Sequence, residues 1–157
     1  MEAKLRKANK SDIPFLMSLR NVTMNEYLLK SGAPIDNKSH LNRINYRFDA
    51  AKIVLFSDKP IGLFKFYLED SCWHVVQIQL LPEHQRKGIG TNLLKNLQSQ
   101  AIAKNQTVSL GVLKSNPAKM LYQKVGFIVQ KESDMEFTMQ YKPNKKSQSD
   151  QKARLCL

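Results

Sequence analysis

Apolar positions along the chain change their period several times, and each change marks an element. Residues 3–8 alternate as a first strand, and Ser11-Asp12 then offers an N-cap ahead of Ile13, Phe15, Leu16 and Leu19. Their spacing predicts a helix over about residues 12–25, followed by a second helical stretch over about 25–30. Ser31-Gly32-Ala33-Pro34 breaks it, and another amphipathic piece covers about residues 38–48. From Lys52 the pattern becomes strand-like. Ile53-Val54-Leu55-Phe56, the turn Ser57-Asp58-Lys59-Pro60 and the run 61–68 predict two antiparallel strands. A third covers 73–81, where Gln77 and Gln79 alternate against Ile78 and Leu80, and Pro82 stops it.

Ile89, Leu93, Leu94, Leu97 and Ala101 then form the stripe of a helix packed on a sheet, running from Gly88 to about Lys104. A strand over 107–112 leads to Asn116-Pro117, where Asn is a good N-cap and Pro is tolerated at the first helical position. Ala118, Leu121, Tyr122 and Val125 make the inner face of that short helix, and Gly126 suits its C-cap. Residues 127–130 and 135–141 predict a closing hairpin. Beyond Tyr141 too little apolar surface remains to offset the entropy of ordering. The expectation is one domain over 1–141 and a basic, disordered tail over 142–157.

Composition changes this picture only in part. The 157 residues suit a single domain, and 25 Lys and Arg against 13 Asp and Glu give a net charge of +12. That makes an anionic partner plausible, whether nucleic acid, an anionic membrane or a phosphate-rich cofactor. Two cysteines, Cys72 and Cys156, build neither a disulfide framework nor a metal cluster, so no metal is expected. The N-terminus lacks the apolar core of a signal peptide and no stretch is long enough to span a bilayer. A soluble, cytoplasmic protein without a membrane partner is expected.

The chemistry concentrates where the strand 73–81 gives way to the helix at Gly88. Unpaired N–H groups and partial positive charge at a helix start attract anions, and glycines let a ligand approach the backbone. Gln85-Arg86-Lys87-Gly88-Ile89-Gly90 has the composition of such a loop, although two glycines equally suit a plain turn. A P-loop is excluded, since Gly-Lys-Ser/Thr does not follow at the required spacing, and a dinucleotide fingerprint lacks its third glycine.

Two blocks together are more specific. Ile78-Gln79-Leu80-Leu81-Pro82-Glu83-His84-Gln85-Arg86-Lys87-Gly88-Ile89-Gly90, with the later Asn116, Tyr122 and Gly126-Phe127, resembles the GNAT N-acetyltransferases. The resemblance covers about residues 3–141 and is sharpest over 75–127. It implies an α/β fold: a mostly antiparallel, twisted sheet of about six to seven strands, splayed at the middle and flanked by about four helices. It implies acetyl-CoA as donor and a primary amine of a small molecule, amino acid or peptide as acceptor. The amides of Arg86, Lys87, Gly88, Ile89, Gly90 and Thr91 would grip the pyrophosphate, with Gln85 opening the motif. The main chain of Leu80 and Leu81 would pair with the pantetheine arm as an added strand. Asn116 would touch the cofactor, and Tyr122 would protonate the departing thiolate.

Acetyl transfer also needs the acceptor amine to lose a proton. Many relatives place a glutamate on the strand before the phosphate loop, but this strand offers Val75, Val76, Gln77, Ile78 and Gln79, none of them a base. Glu83, His84, His74, Glu26 and Glu69 remain as candidates, beside a water route through Gln77 or Gln79. Tyr27, Arg43, Tyr46, Arg47, Trp73 and Gln79 are candidates for the acceptor pocket, and an arginine facing it would favour an acceptor with a carboxylate. A catalytically weak acetyl-CoA-binding or sensing module is the alternative function. Nucleic acid is not expected as the main partner, because no aromatics interleave with the basic residues. An exposed strand near the C-terminus offers an edge for a homodimer.

Overall fold

A computed structural model describes residues 2–143. Seven strands make one sheet in the order β1-β2-β3-β4-β5-β7-β6. They are β1 Lys4–Lys7, β2 Ala51–Phe56, β3 Lys59–Glu69, β4 Cys72–Leu80, β5 Thr107–Leu113, β6 Ile128–Glu132 and β7 Glu136–Tyr141. The helices are α1 Ile13–Lys30, α2 Asn37–Asn45, α3 Ile89–Ala103 and α4 Ala118–Lys124. All strand pairs are antiparallel except β4 with β5. This is the mostly antiparallel sheet with four helices that the resemblance implies. Among the described residues no helix is long and apolar enough to cross a membrane. The basic tail expected from residue 142 lies, from 144 onward, outside the described residues.

Local chemistry explains where the elements depart from the predicted boundaries. Helix α1 is continuous to Lys30 rather than divided near Asn25, with Leu16, Leu19 and Arg20 buried along it and Asn25 Nδ2 donating one turn back to Asn21 Oδ1 (2.9 Å). Asp12 stands at the N-cap of α1, but the side-chain cap bond is made by Asn9 on the 3-10 turn before it. There Asp12 completes a capping box by accepting from Asn9 N (2.8 Å), and it also accepts two bonds from Arg6 (2.8 and 2.9 Å). That pair ties β1 to the start of α1, and the Arg6 guanidinium holds the Asp12 carboxyl below its usual range. The first hairpin turns on Ser57 and Asp58 alone, both at positive φ, so Lys59 and Pro60 already belong to β3.

Helix α2 stops at Asn45 instead of reaching Phe48. Arg47 is left-handed (φ 52°), and Lys65 of β3 takes the carbonyls the helix leaves open. Its Nζ donates to the carbonyls of Arg43 (3.1 Å), Ile44 (3.0 Å) and Tyr46 (2.6 Å), so a buried ammonium caps the C-terminal end of α2.

Both faces of the sheet are covered. Toward α3 and α4 the core is apolar and large, with Val54, Phe64, Val75, Leu94, Leu97, Val108, Phe127 and Met139 at its centre. Toward α1 and α2 lies a smaller apolar cluster of Ala8, Leu16, Leu19, Ile44, Ala51, Ile53 and Leu63. Strands β3 and β4 run close together where β4 ends: a Cβ on Gly62 would sit 2.3 Å from Gln79 O. Only glycine permits that approach.

Candidate active site

The site begins with a fork in the sheet. β4 and β5 pair only from Cys72 with Thr107 to Val75 with Leu110. Beyond that point β4 runs on to Leu80 and β5 to Leu113 without pairing each other, which leaves the β5-facing side of β4 as an open edge. A cleft of about 610 Å³ lies beside it. Ile78, Gln79 and Leu80 form one wall, Asn116, Pro117, Ala118, Leu121 and Tyr122 the other, and Val22, Thr23, Met24, Glu26 and Tyr27 of α1 a third. Ser115 links two walls, since its Oγ donates to Tyr27 O (2.9 Å) and lies 3.0 Å from Ser31 Oγ.

The loop from β4 to α3 closes the far end. Arg86 (φ 61°) and Gly88 (φ 83°) are both left-handed and reverse the chain tightly into α3. Gly88 is the N-cap and brings no side chain to the first-turn amides, and no acidic residue stands in that turn. The amides and the positive end of a 15-residue helix therefore face the cleft unneutralised. Gln85 braces the loop from behind, donating from Nε2 to Leu80 O (2.9 Å). An anionic group with phosphate chemistry fits this cradle.

Tyr122 sits on α4 with its ring edge-on to Phe127 (6.1 Å between centroids) and lines the cleft. Burial alone pushes its phenol up to about 12, so it holds its proton at neutral pH. Asn116 accepts at Oδ1 from Ala118 N (2.9 Å), capping the helix that carries Tyr122.

The cleft brings together Leu80, Gln85, Arg86, Gly88, Ile89, Gly90, Thr91, Asn116 and Tyr122, together with Tyr27 and Gln79 from the acceptor set. Two expected cofactor residues do not line it. The Leu81 amide is committed to Ile61 O (2.8 Å), and Lys87 is exposed on the loop. Arg43 and Tyr46 stack on each other at the end of α2, Arg47 lies over Tyr67, and Trp73 donates to Gln106 (2.9 Å) near the start of β4. None of these four lines the cleft. Of the expected bases, His84 packs on Phe56, His74 stacks on Tyr67 and Glu69 pairs with Arg47. Glu83 also falls outside the lining, and Glu26 is the one carboxylate among the described residues that lines it.

A buried polar group lies under α1 and α2, and of its members the sequence singles out only Gln77 and Gln79. Arg20, His40, Lys65, Gln77 and Gln79 are all buried there. Arg20 Nε donates to His40 Nδ1 (3.0 Å), whose Nε2 reaches Asn25 Oδ1 (2.7 Å), an arrangement that requires neutral histidine. Burial, then the neighbouring Arg20, lowers the His40 pKa accordingly. Burial first and Arg43 second bring Arg20 down to about 10, and Lys65 falls to about 8 through burial, Arg43 and Arg20. Among the described residues no cluster of His, Cys, Asp and Glu could hold a metal ion.

Comparison with known proteins agrees with this geometry. Residues 34–140 match the family model described as acetyltransferase (GNAT) domain. Cysteine-rich protein 2-binding protein of mouse and of human is 36% identical over 98 residues, covering 60% of this chain but only 12% of those proteins. The PaiA N-acetyltransferase of Thermoplasma acidophilum, solved with coenzyme A, superposes with a TM-score of 0.69 at 18% identity, over 90% of this chain and 99% of that one. The ribosomal-protein-S18-alanine N-acetyltransferase of Escherichia coli gives 0.66 at 18% identity, over 90% and 94%. Arabidopsis thaliana Naa50, in complex with the bisubstrate analogue CoA-Ac-MVNAL, gives 0.61 at 17% identity, over 89% and 98%. With a fork in its sheet, a bare helix start at the cleft and a family match over most of its length, the chain belongs to the GNAT acetyltransferases, whose acetyl donor is acetyl-CoA.

Proposed function

We propose that the protein is an N-acetyltransferase that moves an acetyl group from acetyl-CoA to a primary amine of a small molecule, amino acid or peptide by direct attack. The observation that carries this is one continuous cleft joining the uncapped start of α3, the open edge of β4 and Tyr122. Bound acetyl-CoA supplies the acetyl group as an activated thioester. The amides of Arg86 and of Gly88 to Thr91 hold its pyrophosphate, and the main chain near Leu80 takes the pantetheine arm as an added strand. Tyr122 gives its phenolic proton to the sulfur as the new C–N bond forms and the C–S bond breaks. The proton shed by the nitrogen passes to water, with Glu26 the carboxylate at hand.

Calorimetry with acetyl-CoA and thiol release with an amine panel test this reading. Tyr122→Phe should lower kcat about 10²–10⁴-fold while leaving cofactor affinity intact, as expected for loss of a general acid. Unchanged turnover would remove that role. A second reading, an acetyl-CoA sensor without turnover, is favoured by the lack of any carboxylate on β4. Thioester consumption with any primary amine would exclude it.

A further inference from the structure

The face of β4 beneath α1 carries two glutamines that are 6% and 7% exposed, Gln77 and Gln79. Neither Nε2 nor Oε1 of Gln77 has a hydrogen-bond partner, and the Oε1 of Gln79 has none either. Buried amides left unpaired are costly, and each such group in a native fold calls for an explanation. Gln77 stands opposite Lys65 in the register of β3 and β4, so the two side chains share a face. Lys65 is fully occupied by the end of α2.

Arg20 differs from Lys65 in that respect. It is 4% exposed, and of its five N–H groups the side-chain bond that is formed uses only Nε, to His40. None of the ion pairs among the described residues includes it: these are Arg6–Asp12, Lys30–Glu26, Arg47–Glu69 and Lys114–Glu132. Arg20 and Lys65 therefore set up a positive region with no paired carboxylate, next to amides that lack partners. Neither Arg20 nor Gln77 lines the cleft, but each neighbours residues that do. Arg20 lies one helical turn before Thr23 and Met24, which line the cleft, and Gln77 lies about 7 Å along the strand from Gln79, which also lines it.

We infer that Arg20 and Gln77 form a carboxylate subsite beside the cleft, behind the wall that α1 and β4 give it, and that the acetyl acceptor is a small amine bearing a carboxylate. The carboxylate supplies the counter-charge that Arg20 lacks and accepts from its fork and from Gln77 Nε2. Gln79 Oε1, nearer the cleft, accepts from the amine. His40 and Asn25 act as positioning residues by fixing the guanidinium. A polycationic acceptor would instead add charge of the wrong sign. This inference rests on the acetyltransferase reading of the cleft.

The test uses the full chain with glycine, β-alanine and 4-aminobutyrate, each against its carboxamide. At least one free acid should exceed its carboxamide by about tenfold or more in kcat/KM, mainly through KM, the size expected of charged hydrogen bonds. In Arg20→Gln that ratio should fall to about twofold or less while acetyl-CoA affinity by calorimetry is unchanged. Gln77→Leu, which keeps Arg20, should lower the ratio severalfold and serves if Arg20→Gln does not fold. Calorimetric binding of the same acids and carboxamides to the CoA-loaded protein reads the subsite without turnover. Carboxamides bound and acetylated as well as the acids, or a ratio that survives both substitutions, would overturn the subsite. Failure of acetyl-CoA to bind, or of every amine to react while the acids still bind in an Arg20-dependent way, would count against the acetyltransferase reading instead.

Discussion

The two faces of the sheet bury side chains of different chemistry. Under α3 and α4 the interior is almost wholly apolar, and the ligand-facing groups are backbone amides and one tyrosine. Under α1 and α2 the apolar cluster is smaller, and an arginine, a lysine, a histidine and two glutamines are buried beside it. The first face can hold a ligand through main chain that any sequence of the right conformation provides. The second face commits specific side chains, and under the subsite proposed above those would select among ligands. On that reading the cofactor side of the cleft is a matter of backbone shape, and the acceptor side a matter of residue identity.

Three substitutions or conditions separate the two faces, in falling order of effect. Gly88→Val forces a β-branched side chain into a left-handed N-cap and should weaken acetyl-CoA binding about a hundredfold, or ~2.7 kcal/mol, by calorimetry. Hydrogen exchange in α2 should not change. Raising the pH probes Tyr122: its phenol ionises near 10 when unfolded and near 12 when folded. Its contribution to stability is therefore complete below pH 10 and is lost as the pH rises through 12, about 2–3 kcal/mol that Tyr122→Phe should flatten in alkaline denaturation curves. Lys65→Met leaves three carbonyls at the end of α2 without a donor. It should cost about 1–3 kcal/mol in urea unfolding, with the release of a buried charge offsetting part of the loss. Acetyl-CoA affinity should hold.

The same contrast explains what was legible in the sequence. The loop from Gln85 to Gly90 and the run from Asn116 to Phe127 could be found because glycine, proline and an apolar stripe dictate backbone conformation locally. The mostly antiparallel sheet and its four helices followed from the family resemblance, while the strand order came only with the structure. Arg20 and Lys65 were missed because charge suggests solvent, although position argued otherwise. Arg20 follows Leu16 by four residues on the inward stripe of α1, and Lys65 follows Leu63 by two on one face of β3. Gln77 and Gln79 stand in the sequence where a base is absent, but only the fold shows that their amides are buried without partners. Arg43 and Tyr46 lie outside the cleft because α2 ends at Lys65, a contact made across 19 to 22 residues of sequence.

The four residue pairs that join β4 to β5 have a mechanical consequence. Strands β1 to β4 and β5 to β7 are two plates welded along a short seam, and past that seam nothing in the sheet resists their spreading. A ligand lying along the open edge of β4 and touching α4 would act as the missing length of seam. Occupancy should then stiffen the junction between the plates more than either plate, by an amount that grows with the logarithm of ligand concentration. Amide exchange in the last residues of β4 and in α4 is where that stiffening would be read.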